Sequence, residues 1–345
     1  MTKTLSIALL ACTLTSQTPA QTIPASGVPA HPSSLAEAHA LIDRGHPAEA
    51  LAKLDLLTAG GTSQPGLART RGDALYAEGH LPEADAAYLK ALTEDSHDHE
   101  AEQMRGLTLF RLGRPADAIP LLTASHEWQS GTKVDPTYVL ALCYLDTRRY
   151  DDARHAFAAQ YGLAPDSASA YLLAARMLLR REYVPVAKSF AEKALALDPQ
   201  LPLAHELLGE IALAGNHLEE ALSQLEKERA RNPLSGNVYD RLGDAYTRSG
   251  DYLQAERSLQ RAVLLEPGTT GPYIQLGKVS LKRQDPASAV TYLEHALQMD
   301  PANYMTHSLL GQAYRSLGRT EEASRETQTA QRIQAASEPK LESVH

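Results

Sequence analysis

Four short stretches hold residue types that could do chemistry. The first, "HDHE" at 97–100, gathers two histidines and two acids. A metal site would need a third or fourth convergent ligand, and the next acids, Glu94 and Asp95, lie in the same connection. A solvated helix start is the better expectation. The second, "GPYIQLGKVS" at 271–280, looks like a phosphate loop but fails it twice. Five residues separate Gly271 from Gly277, and Val279 follows Lys278 where Ser or Thr must reach magnesium. The third is the cysteine pair, Cys12 and Cys143, too few for a thiolate metal cluster. Cys143 lies between Leu142 and Tyr144 and is expected to be a buried, inert thiol. The fourth is Trp128, the only Trp, in the irregular stretch "HEWQSGTKVDP" at 126–136. Exposed, it would anchor a partner; otherwise it packs against the preceding helix. No Gly-x-Ser-x-Gly, no His-Glu-x-x-His and no nucleophile–base spacing occurs. No catalytic group, metal or cofactor is therefore expected.

The bulk numbers agree. The net charge of −9 argues against nucleic acid, which needs a basic footprint. The 345 residues exceed one compact core and suggest two domains or a repeat array. The start, with Lys3, an apolar run from Leu5 to Leu14, and Thr18-Pro19-Ala20, reads as a secretory signal peptide over 1–20. A second reading is a lipoprotein signal, "LLAC" ending at Cys12, which would leave a lipid anchor there. The apolar run is too short to span a membrane, and no other segment could. Residues 21–34, rich in Pro and Ser, read as a flexible linker, and 337–345 as a disordered tail.

Residues 35–336 repeat themselves. Alanines at 50, 84, 118, 153, 187, 221, 255, 289 and 323 stand 34 apart, with a single step of 35. Twelve residues before each stands Gly or Ala, as in Ala38, Gly72, Ala175, Gly243 and Gly311. Prolines 165, 199, 233, 267 and 301 keep the same interval. Each unit reads as two amphipathic helices with a tight turn. Small residues let the helices approach at their crossing, and larger ones such as Leu242, Tyr246 and Leu259 fill the space around it. Gly250 ends the first helix at a turn that needs positive φ. Pro47, Pro115 and Pro286, and one position later Pro82 and Pro185, suit the first turn of the second helix, where no hydrogen bond is lost. Pro120 falls inside a helix and should cost a backbone bond and bend it. The first three units carry Glu37, Arg71 and Arg105 where later ones have Leu, so that end should pack differently. The last helix is polar, with Thr327 at a core position, as suits a cap facing water.

The run Tyr239, Leu242, Gly243, Tyr246, Gly250, Ala255, Leu259, Ala262, Pro267 resembles the tetratricopeptide-repeat family. Nine units start near 31, 65, 99, 134, 168, 202, 236, 270 and 304. The resemblance implies an all-α, right-handed superhelical solenoid with the first helices lining a concave groove. It also implies which positions face that groove. Leu107 and Phe110, Tyr138, Leu142 and Leu145, and Leu172, Arg176 and Leu179 would make an apolar middle. Glu206, Glu210, Asp240 and Asp244 would make an acidic patch beside it. The expected ligand is a peptide or partner protein, apolar in its centre and basic toward one end. The resulting reading is a bacterial, exported interaction scaffold, periplasmic or secreted, serving envelope assembly or export. The alternative is a regulatory module beside a separately encoded envelope enzyme, in glycan or cytochrome maturation.

Overall fold

The computed structural model describes residues 34–59, 64–126 and 136–337. Within them the chain is helical throughout, with no strand. The first helices of the nine units are α1 (Leu35–Asp43), α3 (Leu67–Glu78), α5 (His99–Arg111), α7 (Pro136–Asp146), α9 (Ala168–Arg180), α11 (Ala204–Ala214), α13 (Gly236–Ser249), α15 (Thr270–Lys282) and α17 (Tyr304–Ser316). Their partners are α2 (Pro47–Ala59), α4 (Leu81–Glu94), α6 (Pro115–His126), α8 (Tyr150–Gln160), α10 (Val184–Leu197), α12 (Leu218–Arg231), α14 (Tyr252–Leu265), α16 (Pro286–Met299) and α18 (Thr320–Ser337). The expected signal peptide, nearly all of the linker, Trp128, Asp135 and the tail after Ser337, which itself ends α18, lie outside the described residues.

The punctuation behaves as its chemistry demands. Ser34, Asp98, Ser167, Ser235 and Asn303 cap first helices, each accepting a backbone N–H from three residues on. Ser34, the last residue assigned to the linker, is thus part of the array. The five prolines expected at the start of second helices occupy the first or second helical position there. Helix α6 runs on through Pro120, which is exposed and leaves the Ala116 carbonyl without its intrahelical donor.

The turn inside each unit closes with a residue of positive φ, and this holds in all nine units. Gly250 adopts φ 84° without cost. In four units the same position is Arg148, Glu182, Asn216 or Gln284, at φ 57–62°. The packing of the helix pair therefore dictates the turn even where the residue type resists it.

The crossing is sharper than the alternation of small residues implies. An added Cβ on Gly243 would lie 2.4 Å from Leu259 Cδ2, and one on Gly277 would lie 2.4 Å from Leu293 Cγ. The glycine is thus a socket for the leucine sixteen residues on. At Gly311 the socket receives Thr327 Oγ1 at 2.7 Å, and the Ala323 carbonyl also stands close, at 3.2 Å. The first three units do pack differently. Lys53 meets Glu37 at 2.9 Å, Arg71 meets Asp55 at 2.6 Å, and Arg105 meets Asp85 at 2.7 Å. Ion pairs stand there in place of the buried Leu140, Leu208, Leu242, Leu276 and Leu310 of later units.

Consecutive first helices pack against one another, whereas consecutive second helices stand further apart, so the array curves with the first helices inside. The exception is α7 and α9, which scarcely meet. Helix α8 ends five residues before Pro165, stopped at Gly162 (φ 64°), whereas α10, α12, α14 and α16 run to within two residues of their prolines. Arg154, 3% exposed, bridges that joint by donating to the Pro165 carbonyl and to Asp166, with its guanidinium 4.2 Å above the Tyr171 ring.

Candidate functional site

The inner face is more self-packed than its composition suggests. Leu107 and Leu145 are 2% and 0% exposed, so neither offers surface to a ligand. Phe110 is half-buried against the core around Leu109 and Leu122. Tyr138 stands edge-on to Phe157 at 5.9 Å, and Leu142, Leu172 and Leu179 lie half-buried on the core of units four to six. The close stacking of neighbouring units thus consumes much of the expected apolar groove.

The expected acidic patch is corrected in the same way. Arg241 reaches Glu210 at 3.1 Å, with Arg176 at 4.0 Å from its other oxygen, and Arg248 pairs with Asp244 at 2.8 Å. Asp240 accepts from the Gln275 amide at 2.9 Å, and Glu206 from the Asn237 amide at 2.6 Å. All but the Arg248–Asp244 pair, which lies within α13, link neighbouring units, from the fifth to the eighth. The four acids are interleaved with three arginines, so the patch presents far less charge than four carboxylates would. Burial nevertheless pushes the Asp240 carboxyl up to about 6, Asp244 and Glu266 adding to the push and Arg241 opposing it. Burial and then Glu210 and Glu228 raise Glu206, while Arg176 and Arg241 oppose them.

What stays open is a cleft of about 540 Å³ at the leading ends of α9, α11 and α13. Leu172, Leu173, Arg176, Leu203 and Glu206 line it, with Ser235 and Asn237 at its far side. The connection Leu201-Pro202-Leu203 forms its rim. Leu203 is 42% exposed and holds φ 63°, a left-handed conformation that costs a leucine about 1–2 kcal/mol. The structure thus gathers Leu172, Arg176 and Glu206 of the expected site. It leaves Leu107, Phe110, Tyr138 and Leu145 in the packing, Asp240 in a bond between units and Asp244 in an ion pair within α13. Leu173, Leu201 and Pro202 were missed by the position rule. The signal for Leu201 and Pro202 was the apolar connection "QLPLA", where other units carry "GTTGP" or "ANYMT"; Leu173, inside α9, carried no such signal.

Glu228 was missed too. It occupies the column held by Ala194, Ala262, Ala296 and Ala330 in other units. Its side chain is 3% exposed, and one carboxylate oxygen has no hydrogen-bond partner.

The remaining motifs resolve structurally. Asp98 of "HDHE" caps α5 and, with Glu100, holds Arg69 of the preceding unit at 2.8 and 2.9 Å. "GPYIQLGKVS" lies inside α15. His307, 6% exposed, uses both ring nitrogens, on Glu326 at 2.5 Å and on the Pro301 carbonyl at 3.0 Å. Cys143 is a free, wholly buried thiol, pushed up to about 12 by burial and by Asp146.

Nine stacked helix pairs with a small-residue socket and a positive-φ turn in each define a helical repeat solenoid. Profiles described as tetratricopeptide repeat match residues 33–55, 138–202, 236–269 and 280–343. One described as anaphase-promoting complex, cyclosome, subunit 3 matches residues 77–160. The chain belongs to the tetratricopeptide-repeat family. Comparison with curated proteins gives no match. Among solved structures it is similar to MamA (22% identity, 47% of this chain and 95% of that one, TM-score 0.44). It is also similar to YrrB, described as a TPR protein with an unusual peptide-binding site (23% identity, 50% and 89%, TM-score 0.43). A third is the APC/C hetero-tetramer Cut9–Hcn1 (17% identity, 81% and 55%, TM-score 0.44).

Proposed function

We propose that this chain is a non-catalytic interaction scaffold that seats a segment of a partner protein on its inner face, anchored in the cleft between α9, α11 and α13. Leu203 carries the reading. It is an apolar side chain held exposed in a conformation that leucine disfavours, at the rim of a cleft that includes Leu172, Arg176 and Glu206 of the expected groove. Strain kept at an exposed apolar position needs a compensating role, and a partner's side chain supplies one. The setting we propose is a bacterial envelope. Lys3, the apolar run Leu5–Leu14 and the small residue Ala20 support export, and a single cysteine beyond Ala20 leaves the array to stand on packing alone. Among the described residues no helix is long and apolar enough to cross a membrane.

Leu203→Asn tests the cleft without risking the fold, because asparagine tolerates positive φ and loses only the apolar contact. Leu56→Asn, on the outer helix α2 and 66% exposed in the native chain, is the control. Affinity capture from membrane and periplasmic fractions should return the same partners with native chain and Leu56→Asn, and lose them with Leu203→Asn. Equal recovery with both variants overturns the reading. Export is tested by the mass of the protein isolated from its source. Loss of about twenty residues, or a lipidated Cys12, supports it; an intact Met1 refutes it.

A further inference from the structure

Around Glu206 three carboxylates, Glu206, Glu210 and Glu228, interact with two guanidinium groups, Arg176 and Arg241. Both arginines sit on Glu210. Glu206 therefore receives a neutral amide from Asn237 and no ion pair, although it is 3% exposed. Behind it Glu228 fills an alanine column with a second buried carboxylate, one oxygen of which has no partner. A buried carboxylate without a cation is costly, so the group is one positive charge short. The uncapped start of α11 faces Glu206 as well, but a helix terminus contributes only about half a charge. Around this deficit the cleft walls are apolar: Leu172, Leu173 and Leu203.

We propose that the cleft takes a lysine or arginine side chain of the partner segment, with an aliphatic residue beside it, and that the Glu206 carboxylate accepts its charged hydrogen bond. The aliphatic stem and the neighbouring residue would cover Leu172 and Leu203, and the charge would complete the group. This rests on the scaffold reading and narrows it: an acidic segment would meet three carboxylates, and a purely aliphatic one would leave Glu206 buried and unpaired.

The test uses the full chain to select from a phage-displayed library of random twelve-residue peptides, followed by binding of the enriched peptides as labelled synthetic probes. The expected consensus places Lys or Arg next to Leu, Ile or Met. Glu206→Gln, which keeps the acceptor for Asn237, should weaken those probes about ten- to hundredfold. Arg176→Met, which removes a competing positive charge, should tighten them. Circular dichroism checks that each variant is folded, and the opposite signs of the two changes separate charge recognition from damage. A consensus without a basic residue, or probes indifferent to Glu206→Gln, overturns the cation inference while leaving the scaffold reading standing. Absence of any peptide whose binding depends on Leu203 overturns both.

Discussion

Replacing Gly243 by alanine sets two well-known effects against each other. Alanine is the better helix former by about 1 kcal/mol in a helix interior, so propensity alone forecasts a gain. Geometry forecasts a loss. The new methyl would sit 2.4 Å from Leu259 Cδ2, 2.5 Å from Cγ and 3.3 Å from Cδ1. Ordinary carbon contacts lie near 3.5–4.0 Å, so about 1 Å of separation must be found. Leu259 cannot supply it by swinging its tip, because Cγ itself is engaged and the side chain is wholly buried beside Ala255, Leu276 and Val279. Overpacking of this kind costs about 1–3 kcal/mol. With Cγ engaged, the upper part of that range applies, and a net loss of about 1–2 kcal/mol is expected.

The array also supplies a way to undo the effect. Unit five carries Ala175 and Ala191 in the two columns that hold Gly243 and Leu259 in unit seven. In a Leu259→Ala background, which by itself costs about 2–5 kcal/mol, Gly243→Ala should become neutral or stabilising. Unit one, with Ala38 and Leu54 both wholly buried, shows that a pair can be spaced for both side chains. The cost arises from forcing a methyl into a pair spaced for glycine. Because a repeat array need not unfold in one step, guanidinium melts followed by circular dichroism should be read with hydrogen exchange over α13 and α14. A stabilising Gly243→Ala, or the same effect in both backgrounds, refutes the socket.

Three further outcomes are expected. Gln284→Gly relieves a left-handed residue at φ 62° and should raise stability by about 0.5–1 kcal/mol in chemical melts, whereas Gly250→Gln should lower it; equal effects would sink the turn argument. Cys143 should resist a thiol reagent in the native chain and react once units three and four open, so labelling at the rate of a free thiol would contradict its burial. The Asp240 carboxyl holds its proton up to about pH 6 when folded but only to about 3.8 when unfolded. The folded chain binds the extra proton between those values, so this group's contribution to stability falls as pH rises from about 4 to 6. Asp240→Asn, which keeps the Gln275 bond, should flatten that part of the pH–stability curve, and an unchanged slope would refute the assignment.

The repeat made most of the fold legible. A column of small residues, a column of turn glycines and prolines at fixed intervals placed the helix pairs to within a few residues, because each has a local backbone reason. Column reading went wrong where a position's neighbours belong to the next unit. Leu107, Leu145 and Leu172 are all read as groove-facing, yet Leu107 and Leu145 lie in cores shared between neighbouring units while Leu172 stands at a cleft edge. Asp240 reads as a free surface acid, yet its partner Gln275 lies 35 residues away. Such contacts depend on the rise and curvature of the stack. The joint at α7 and α9 shows that these vary along the chain, since there α8 ends early, just before Gly162, and the inner helices scarcely meet.

That dependence changes which residues bear on recognition. A residue that obeys its column is explained by packing, whatever its chemistry; this disposes of the glycines, the core leucines, "HDHE" and the lysine of "GPYIQLGKVS". A residue that breaks its column at a cost no packing within the chain imposes is not so explained; Arg148, Glu182 and Gln284 also hold positive φ, but the turn between their paired helices imposes it. Asn216 breaks the turn column cheaply, since asparagine accepts positive φ, and Thr327 breaks the core column at a solvent-facing cap. Glu228 breaks the alanine column at the cost of a buried, half-unpaired carboxylate, and Leu203 accepts a strained backbone to stay exposed. Both costs fall in the sixth unit. Leu203 stands at the rim of the open cleft, and Glu228 interacts with Glu206 within it. Packing within the chain leaves both costs uncompensated, whereas a basic, aliphatic segment seated there would offset the two together.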